Sequence, residues 1–456
     1  MLKLSIPKKY EAEVNFVLNN IFTHHCKCKY TCELNSSDYI KITFNNKYII
    51  LDITFFKNIY KKGNINLVKS SFANLHFNNI NISKDNIIYK RFPVIFGNPS
   101  IERIGDAVKI NFDLIGTIFL FLSRYEDLYN DNKDSHSRIL CKNSIFPNEI
   151  YTRPIVDEYI YLLFQLIQCH LGCELFEIKY QNLLSFDIDI PWDATCDSFS
   201  SFSKAALGDV IKRNDLNNLF KRCGRYLFSK FSNYKYDNLY TFDFISNLLN
   251  DNKLTATFFV IPDSRMPNNG TYDIECSRFK SLLSDLIRGN HRLGHHCTYQ
   301  AYNNSKLLCM QFNHLKKYLS QHYSINDIVD NRNHFLKWDT INSPSILSSV
   351  GIDYDYTGGF PDFVGFKHGS SKQFFMWCWK TNSQCMLIQK PLILMDWSLI
   401  SSDYMSLQDF VSIKEHIDKI FNQCKLYNGS FSVLWHNSTL QTDLQIRTFL
   451  YLVSLL

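Results

Sequence analysis

The chain has 456 residues, of which 45% are hydrophobic and 20% are charged. This composition excludes an intrinsically disordered chain, and the length exceeds what a single core usually holds, so we expect two domains. The 49 Lys and Arg against 43 Asp and Glu give a net charge of only +6, which is far from the concentrated positive charge of a nucleic-acid-binding protein and does not by itself identify a partner.

The N-terminal residues lack the apolar run and small-residue cleavage site of a signal peptide. The apolar stretch at 114–122 is too short to span a bilayer, so we expect a cytoplasmic protein without a transmembrane segment. The 14 cysteines are scattered and are expected to stay reduced. The His and Cys residues of 24–32 fit a strand better than a zinc site, because a second ligand pair is missing.

Residues 1–175 are predicted to form an α+β domain. Short strands at 39–44 and 47–56 are separated by Asn-rich turns. They precede two stretches, 114–131 and 153–171, in which apolar residues recur every three or four positions and predict helices. This domain shows no obvious chemistry of its own.

Residues 176–456 alternate between short apolar strands and amphipathic helices. The strands are predicted at 182–190, 256–261, 291–296, 330–335, 351–357, 391–399 and 429–437. The helices are predicted at 274–289, 304–320, 407–424 and 441–455. Repeated βα units indicate a parallel sheet or barrel, and about seven strands favour a (β/α) barrel.

Polar residues close several of these strands. They are Asp187 and Asp189, His295 and His296, Arg332, Asp396, and His436. Active sites of such barrels gather at the C-terminal ends of the strands, so we expect these side chains to converge at one rim.

The residue types at this rim suit the hydrolysis of an amide or an ester. Asp187 and Asp189 are two residues apart and point the same way on an extended strand, where a cation or Arg332 would balance their repulsion. One carboxylate can activate water, and an ion or hydrogen-bond donors can stabilise the oxyanion. His436 is placed to protonate a leaving amine near neutral pH.

Six segments resemble, in order, those of the NodB-homology polysaccharide deacetylases, carbohydrate esterase family four. They are "SFDID" (185–189), "ATFFV" (256–260), "HRLGHHCTY" (291–299), "DNRNHF" (330–335), "LMDW" (394–397) and "VLWHN" (433–437). The resemblance covers about residues 180–456. It implies a distorted, incomplete (β/α) barrel that removes acetyl groups from glycans. Segments before the barrel, and 351–371, resemble a bacterial branch of this family with an extra N-terminal domain.

The resemblance also implies a role for individual residues. Asp187 is similar to the catalytic base, Arg332 to the arginine that orients it, and Asp396 to the aspartate that holds the acid, His436. Asp189 and His296 resemble two metal ligands, and Gln300 stands where the family has a second histidine. Because glutamine is a poorer zinc ligand than histidine, the expected divalent metal, zinc or similar, would bind weakly or be absent.

Other residues are candidates for binding the substrate. We predict such a role for Trp435, His295, Lys367 and His368, although a structural role is favoured for His295 and a packed loop also explains the residues near 367. The basic stretch 211–231 is interpreted as a solvated helix, with a membrane-surface helix or a contact to an anionic glycan carrier as the alternatives.

The sequence therefore predicts a deacetylase or related amide hydrolase. The expected substrate is an acylated glycan, or a nucleotide-linked or lipid-linked amino sugar, in surface-polysaccharide metabolism, with no nucleic-acid partner. One alternative is metal-independent hydrolysis on the same barrel, which Gln300 makes credible. Another is a glycan-binding or scaffold protein that keeps the fold without turnover.

Overall fold

The structure is a computed structural model that describes residues 1–63, 69–80, 90–196, 198–231, 237–264 and 268–456. Its strands are β1 (Leu2–Pro7), β2 (Tyr30–Asn35), β3 (Tyr39–Phe44), β4 (Lys47–Asp52), β5 (Ser71–Ala73), β6 (His76–Asn78), β7 (Phe92–Val94), β8 (Gly97–Ile104), β9 (Ala107–Phe112), β10 (Gln181–Ile188), β11 (Ala256–Val260), β12 (Arg292–Cys297), β13 (Asp330–Asn333), β14 (Tyr354–Asp355), β15 (Phe374–Cys378), β16 (Ser383–Gln389), β17 (Leu394–Met395) and β18 (Ser430–His436).

The helices complete a mixed α/β architecture, as predicted. They are α1 (Glu11–Asn20), α2 (Thr54–Asn58), α3 (Leu114–Leu122), α4 (Asn148–Tyr151), α5 (Ile155–Leu166), α6 (Phe199–Ile211), α7 (Leu216–Phe231), α8 (Phe242–Asp251), α9 (Ser277–Arg288), α10 (Ser305–Tyr323), α11 (Ser343–Ser349), α12 (Asp396–Ile400), α13 (Phe410–Leu426) and α14 (Asp443–Leu455). None of the described helices combines the length and apolar character that a membrane crossing requires.

The chain divides into two compact units. Unit 1 comprises Met1–Asn182, Phe335–Leu394 and Asp418–Ser432, and unit 2 comprises Leu183–His334, Met395–Ile417 and Val433–Leu456. Both units are therefore built from several chain segments. The domain boundary between residues 175 and 176 stays a prediction, and the structure groups 335–394 with the N-terminal segment.

Unit 1 contains a seven-stranded mixed sheet with the order β2-β1-β3-β4-β9-β8-β6. Strand β1 pairs parallel to β2 and antiparallel to β3, and β4 pairs parallel to β9. Helix α3 is buried along its whole length. Asp113 caps its first turn, because its carboxylate accepts a hydrogen bond from the backbone N–H of Gly116 at 2.6 Å. The same carboxylate accepts a hydrogen bond from the backbone N–H of Phe55, in α2, at 2.7 Å.

Unit 2 is built on parallel strands. Strands β13, β12, β11 and β10 are neighbours in that order, each pair is parallel, and β18 lies on the other side of β10. Every residue of β11 is buried, as expected of a parallel strand covered on both faces. Among the described strands of this sheet, the first and the last do not pair with each other, so the sheet is open. The parallel α/β pattern is confirmed, and the distorted (β/α) barrel stays a prediction.

Most predicted elements of residues 176–456 are present, with one clear error. The four predicted helices correspond to α9, α10, α13 and α14. The predicted strand 391–399 is wrong beyond Met395, because α12 begins at Asp396. The Asp396 carboxylate accepts a hydrogen bond from the backbone N–H of Trp397 at 2.8 Å, and a negative charge stabilises the first turn of a helix.

Candidate active site in unit 2

Asp187 lies near the end of β10 and is held by Arg332 of β13. The Arg332 guanidinium donates from Nη1 to Asp187 Oδ1 at 2.8 Å and from Nη2 to the Ser185 hydroxyl at 2.8 Å. The Ser185 hydroxyl in turn donates to the carbonyl of Val433 at 2.8 Å. Asp187 and Arg332 are both buried, so the ion pair is shielded from water. These contacts fix one oxygen of Asp187 and leave Oδ2 for other partners.

A second group of side chains lies beside Asp187. Asp189, His296 and His334 each offer one ligand atom, and these atoms lie within 4.8 Å of one another. The Nε2 atoms of His296 and His334 are 3.2 and 3.4 Å from Asp189 Oδ1. His296 Nε2 also lies 3.5 Å from Asp187 Oδ2. Three strand ends therefore bring an acid and two imidazoles to one point.

Local hydrogen bonding determines which nitrogen of His296 faces this group. The ring donates from Nδ1 to the carbonyl of Arg332 at 2.9 Å, so the lone pair of the neutral ring is on Nε2. The register that pairs His296 with Arg332 across β12 and β13 makes this bond possible.

The charges of the group affect one another. Burial alone lowers the pKa of His296, but the carboxylates of Asp187 and Asp189 and the bond to the Arg332 carbonyl raise it above its usual value. Burial alone raises the pKa of Asp189, yet His334 and His296 hold it well below its usual range. The acid of this group is therefore ionised across the physiological pH range.

The geometry of Asp189, His296 and His334 fits a divalent metal ion. Metal–ligand bonds of about 2.1 Å in a tetrahedral or octahedral shell separate neighbouring ligand atoms by about 3.0 to 3.4 Å, close to the 3.2 and 3.4 Å that separate Asp189 Oδ1 from the two imidazole nitrogens. His296 Nε2 and Asp189 Oδ1 are buried and make no hydrogen bond with the described residues. An Asp-His-His ligand set suits zinc and related ions.

His436, at the end of β18, forms a pair with Asp396. Its ring donates from Nδ1 to Asp396 Oδ1 at 2.8 Å, and its backbone N–H donates to Asp396 Oδ2 at 2.8 Å. The Thr439 hydroxyl also donates to Asp396 Oδ2. The other ring nitrogen, Nε2, lies 3.6 Å from Asp189 Oδ2. The pair therefore reaches the same cluster as Asp187.

Burial alone lowers the pKa of His436, but the charge and hydrogen bond of Asp396, with further contributions from Asp189 and Asp187, raise it to about 9. The ring is therefore protonated near neutral pH. Because Nδ1 is bonded to Asp396, Nε2 carries the proton that faces the cluster.

Other predicted site residues of unit 2 lie differently. Gln300 accepts a hydrogen bond from the Asn269 side chain at 3.1 Å, and its role as a ligand stays a prediction. His295 is completely buried and hydrogen-bonds through Nδ1 to Asn331 at 2.8 Å, and both its structural and its substrate-binding interpretation stay predictions. Trp435 is also fully buried and its ring packs on Phe449, and its role as a substrate contact stays a prediction.

The remaining predicted substrate contacts, Lys367 and His368, belong to unit 1. Both are buried. Lys367 donates from Nζ to the carbonyl of Gly359 at 3.2 Å, and the ring of His368 lies 5.1 Å from that of Phe374. Both residues belong to unit 1, and their role as substrate contacts stays a prediction.

Sequence reasoning missed three residues of the site. His334 follows β13 directly, and its position one residue beyond a parallel strand is the signal that could have identified it. Ser185 and Thr439 carry no comparable signal, because a lone hydroxyl residue is common everywhere in a sequence. Their hydrogen bonds to Arg332 and Asp396 are visible only in the folded chain.

Comparisons with known proteins add the following. Residues 2–171 match a family model described as a family of unknown function (DUF7033). No curated protein matches the chain. The chain is similar to a solved structure titled "Crystal structure of putative polysaccharide deacetylase from Mycobacterium smegmatis", with 13% identity and a TM-score of 0.39, over 61% of this chain and 83% of that chain. The candidate site lies outside residues 2–171 and is therefore described by its own geometry.

Proposed function

We propose that unit 2 is a hydrolase that removes an acyl group from an acylated amino sugar. The observation that carries this proposal is the approach of a protonated His436 and an Arg332-bound Asp187 to one Asp-His-His group. A base, an acid and a site for a positive ion within a few ångströms are groups that together catalyse amide hydrolysis. The order of the sequence segments that resemble polysaccharide deacetylases supports a sugar substrate.

In this proposal Asp187 is the general base. Arg332 neutralises and orients its Oδ1, and Oδ2 takes the proton of the attacking water. Asp189, His296 and His334 would hold a divalent ion. When bound, such an ion supplies a Lewis acid for the acyl oxygen.

His436 is the general acid in the same proposal. Asp396 holds Nδ1, so that the proton on Nε2 is directed at the leaving amine. The raised pKa keeps this proton in place near neutral pH, which suits donation to a strongly basic nitrogen. Proton removal and proton delivery are thus assigned to different residues.

The experiment measures acetate release from N-acetylated hexosamine oligomers and acetylated nucleotide sugars. Asp187→Asn and His436→Ala should each lower kcat/KM about 100-fold to 10,000-fold, whereas the exposed control Asp251→Asn should match wild type. Adding zinc, cobalt or manganese to chelated protein should restore wild-type activity.

Two outcomes would replace this proposal. Activity that is unchanged by chelation and by added metal would support the metal-independent hydrolase. An equal absence of acetate release from wild type and both variants across the substrate panel would favour a binding or scaffold role. The proposal also includes a distorted barrel fold for unit 2 and a cytoplasmic location.

A further inference from the structure

Helices α6 and α7 of unit 2 form a hairpin with an exposed apolar surface. Ile211 and Phe220 are 75% and 71% exposed. Six large apolar residues of the hairpin are each more than half exposed: Phe199, Leu207, Ile211, Leu216, Phe220 and Leu227. Along α6, which the structure describes in full, the buried residue is Asp209 rather than an apolar one. Apolar residues so arranged contribute little to a core.

A polar cluster on the inner side holds the two helices together. Arg222 of α7 donates from Nε to Asp209 Oδ2 at 2.6 Å, and Arg213 donates from Nε to Asp209 Oδ1 at 2.7 Å. Arg222 also donates from Nη1 to the Thr195 hydroxyl at 2.6 Å. Because this cluster occupies the inner side, the apolar residues of the hairpin are kept on the outer side.

The outer surface is also positively charged. Residues 198–231 contain seven Lys and Arg and two Asp, and one of these acids, Asp209, is neutralised within the cluster. Lys204, Lys212 and Lys221 are exposed and form no ion pair with any residue that the structure describes. Their charges therefore remain available to an external partner.

Apolar and basic residues meet at the tip of the hairpin. Ile211 and Lys212 precede the turn, and Leu216, Phe220 and Lys221 follow it within about two helical turns. Bulky apolar side chains with lysines around them are typical of segments that bind a membrane surface. A second copy of the chain is a poor partner, because the same excess of positive charge would face itself.

We propose that the α6–α7 hairpin binds the surface of an anionic membrane. The apolar side chains of the tip enter the headgroup region, while Lys212 and Lys221 contact anionic headgroups. The apolar and basic residues of this surface are not among those of the candidate active site, and the proposal does not depend on the chemistry of that site. For a hydrolase with a lipid-linked substrate, such binding would bring enzyme and substrate together.

Sedimentation of the full chain with vesicles tests this proposal. We expect binding to phosphatidylcholine vesicles that contain about 30% phosphatidylglycerol, little binding to pure phosphatidylcholine, and weaker binding as salt is raised. Lys212→Gln with Lys221→Gln should weaken binding about 25-fold, since each cation near the surface contributes roughly fivefold. Ile211→Ser with Phe220→Ser should weaken it by at least about tenfold.

The matched control replaces exposed apolar residues elsewhere. Met310→Ser and Met386→Ser, at residues 61% and 73% exposed, should bind the anionic vesicles as wild type does. Asp187→Asn should also bind normally, which separates this test from the test of hydrolysis. Thermal unfolding of each variant shows whether its fold is retained.

Several results would overturn the proposal. They are an absence of binding to anionic vesicles at low salt, equal binding to neutral and anionic vesicles, or wild-type binding by both hairpin variants. Light scattering gives a further decisive result. A dimer that Ile211→Ser with Phe220→Ser dissociates, without any vesicle binding, would assign the surface to a second copy of the chain.

Discussion

Arg332 and Asp396 each orient one reactive side chain of unit 2. Arg332 bonds to Oδ1 of Asp187, and Asp396 bonds to Nδ1 of His436, so in both cases the second polar atom faces the Asp189 cluster. All four side chains are buried. Removing one member of such a pair leaves a buried charge without compensation, which usually costs about 3 to 5 kcal/mol of stability.

The zinc affinity of two variants tests whether His334 or Gln300 is the third metal ligand. His334→Ala should weaken zinc binding by at least about 100-fold, because it removes an imidazole that lies 3.4 Å from Asp189 Oδ1. Gln300→Ala should leave zinc affinity within about threefold of wild type, since its carbonyl is bonded to Asn269. Calorimetric titration of chelated protein with zinc measures both. A large loss with Gln300→Ala and none with His334→Ala would reverse the assignment.

Lys367 should make the stability of the protein depend on pH in the alkaline range. Burial and the positive charge of Arg124 lower the pKa of Lys367 from 10.5 to about 8, although the negative charge of Asp127 acts in the opposite direction. Between these values the folded chain has lost a proton that the unfolded chain still holds, so the free energy of unfolding rises with pH by about 3 kcal/mol. Below pH 8 the charged form prevails in both states and this gain is absent.

Urea unfolding of Lys367→Met checks the prediction. The difference in unfolding free energy between wild type and Lys367→Met should increase in favour of wild type from pH 8 to 10.5. Lys380→Met changes an exposed lysine and should show no such trend. A pH-independent difference for Lys367→Met would contradict the prediction.

At the level of elements, β11 and β12 pack closely around Gly294. A Cβ atom at this position would lie 2.6 Å from the ring of Phe259, and the same ring lies 4.4 Å from the Arg332 guanidinium carbon. Gly294→Ala should therefore destabilise the protein by about 1 to 3 kcal/mol in urea unfolding. It should also reduce acetate release, because the displaced ring presses on the arginine that holds Asp187.

Gly224→Ala is a control that should change the stability of the protein in the opposite direction. It lies inside α7, and an added Cβ there meets no atom within 4 Å. Gly224→Ala should stabilise the helix by about 0.5 to 1 kcal/mol, because glycine loses more backbone freedom on folding than alanine. A destabilising Gly224→Ala, or a neutral Gly294→Ala, would show that local packing does not control these positions.

Periodicity predicted the long elements well and the short ones poorly. Helices α9, α10, α13 and α14 extend over three to five turns, so the apolar repeat is evident in the sequence. The change from β17 to α12 occurs within a few residues, where no repeat can develop. There the Asp396 carboxylate accepts a hydrogen bond from the backbone N–H of Trp397 in the first turn of α12.

At the scale of the whole molecule, the fold does not depend on covalent links between cysteines. All 14 cysteines are free. The thermal unfolding midpoint should therefore be the same with and without dithiothreitol. Loss of a native disulfide usually costs about 2 to 5 kcal/mol, so a drop of several degrees in reductant would contradict this prediction.

The sequence by itself determined the alternation of strands and helices after residue 176 and the polar residues at the strand ends, including Asp187, His296 and His436. These features are local, because hydrophobic periodicity and strand ends depend on residues that are close together in the sequence. Only the tertiary structure decided that His334 joins Asp189 and His296, that Trp435 is enclosed, and that Lys367 and His368 lie inside unit 1. Those outcomes depend on which distant segments pack together. The strand-end position of His334 marks it as a candidate, but a local pattern does not show which side chains meet.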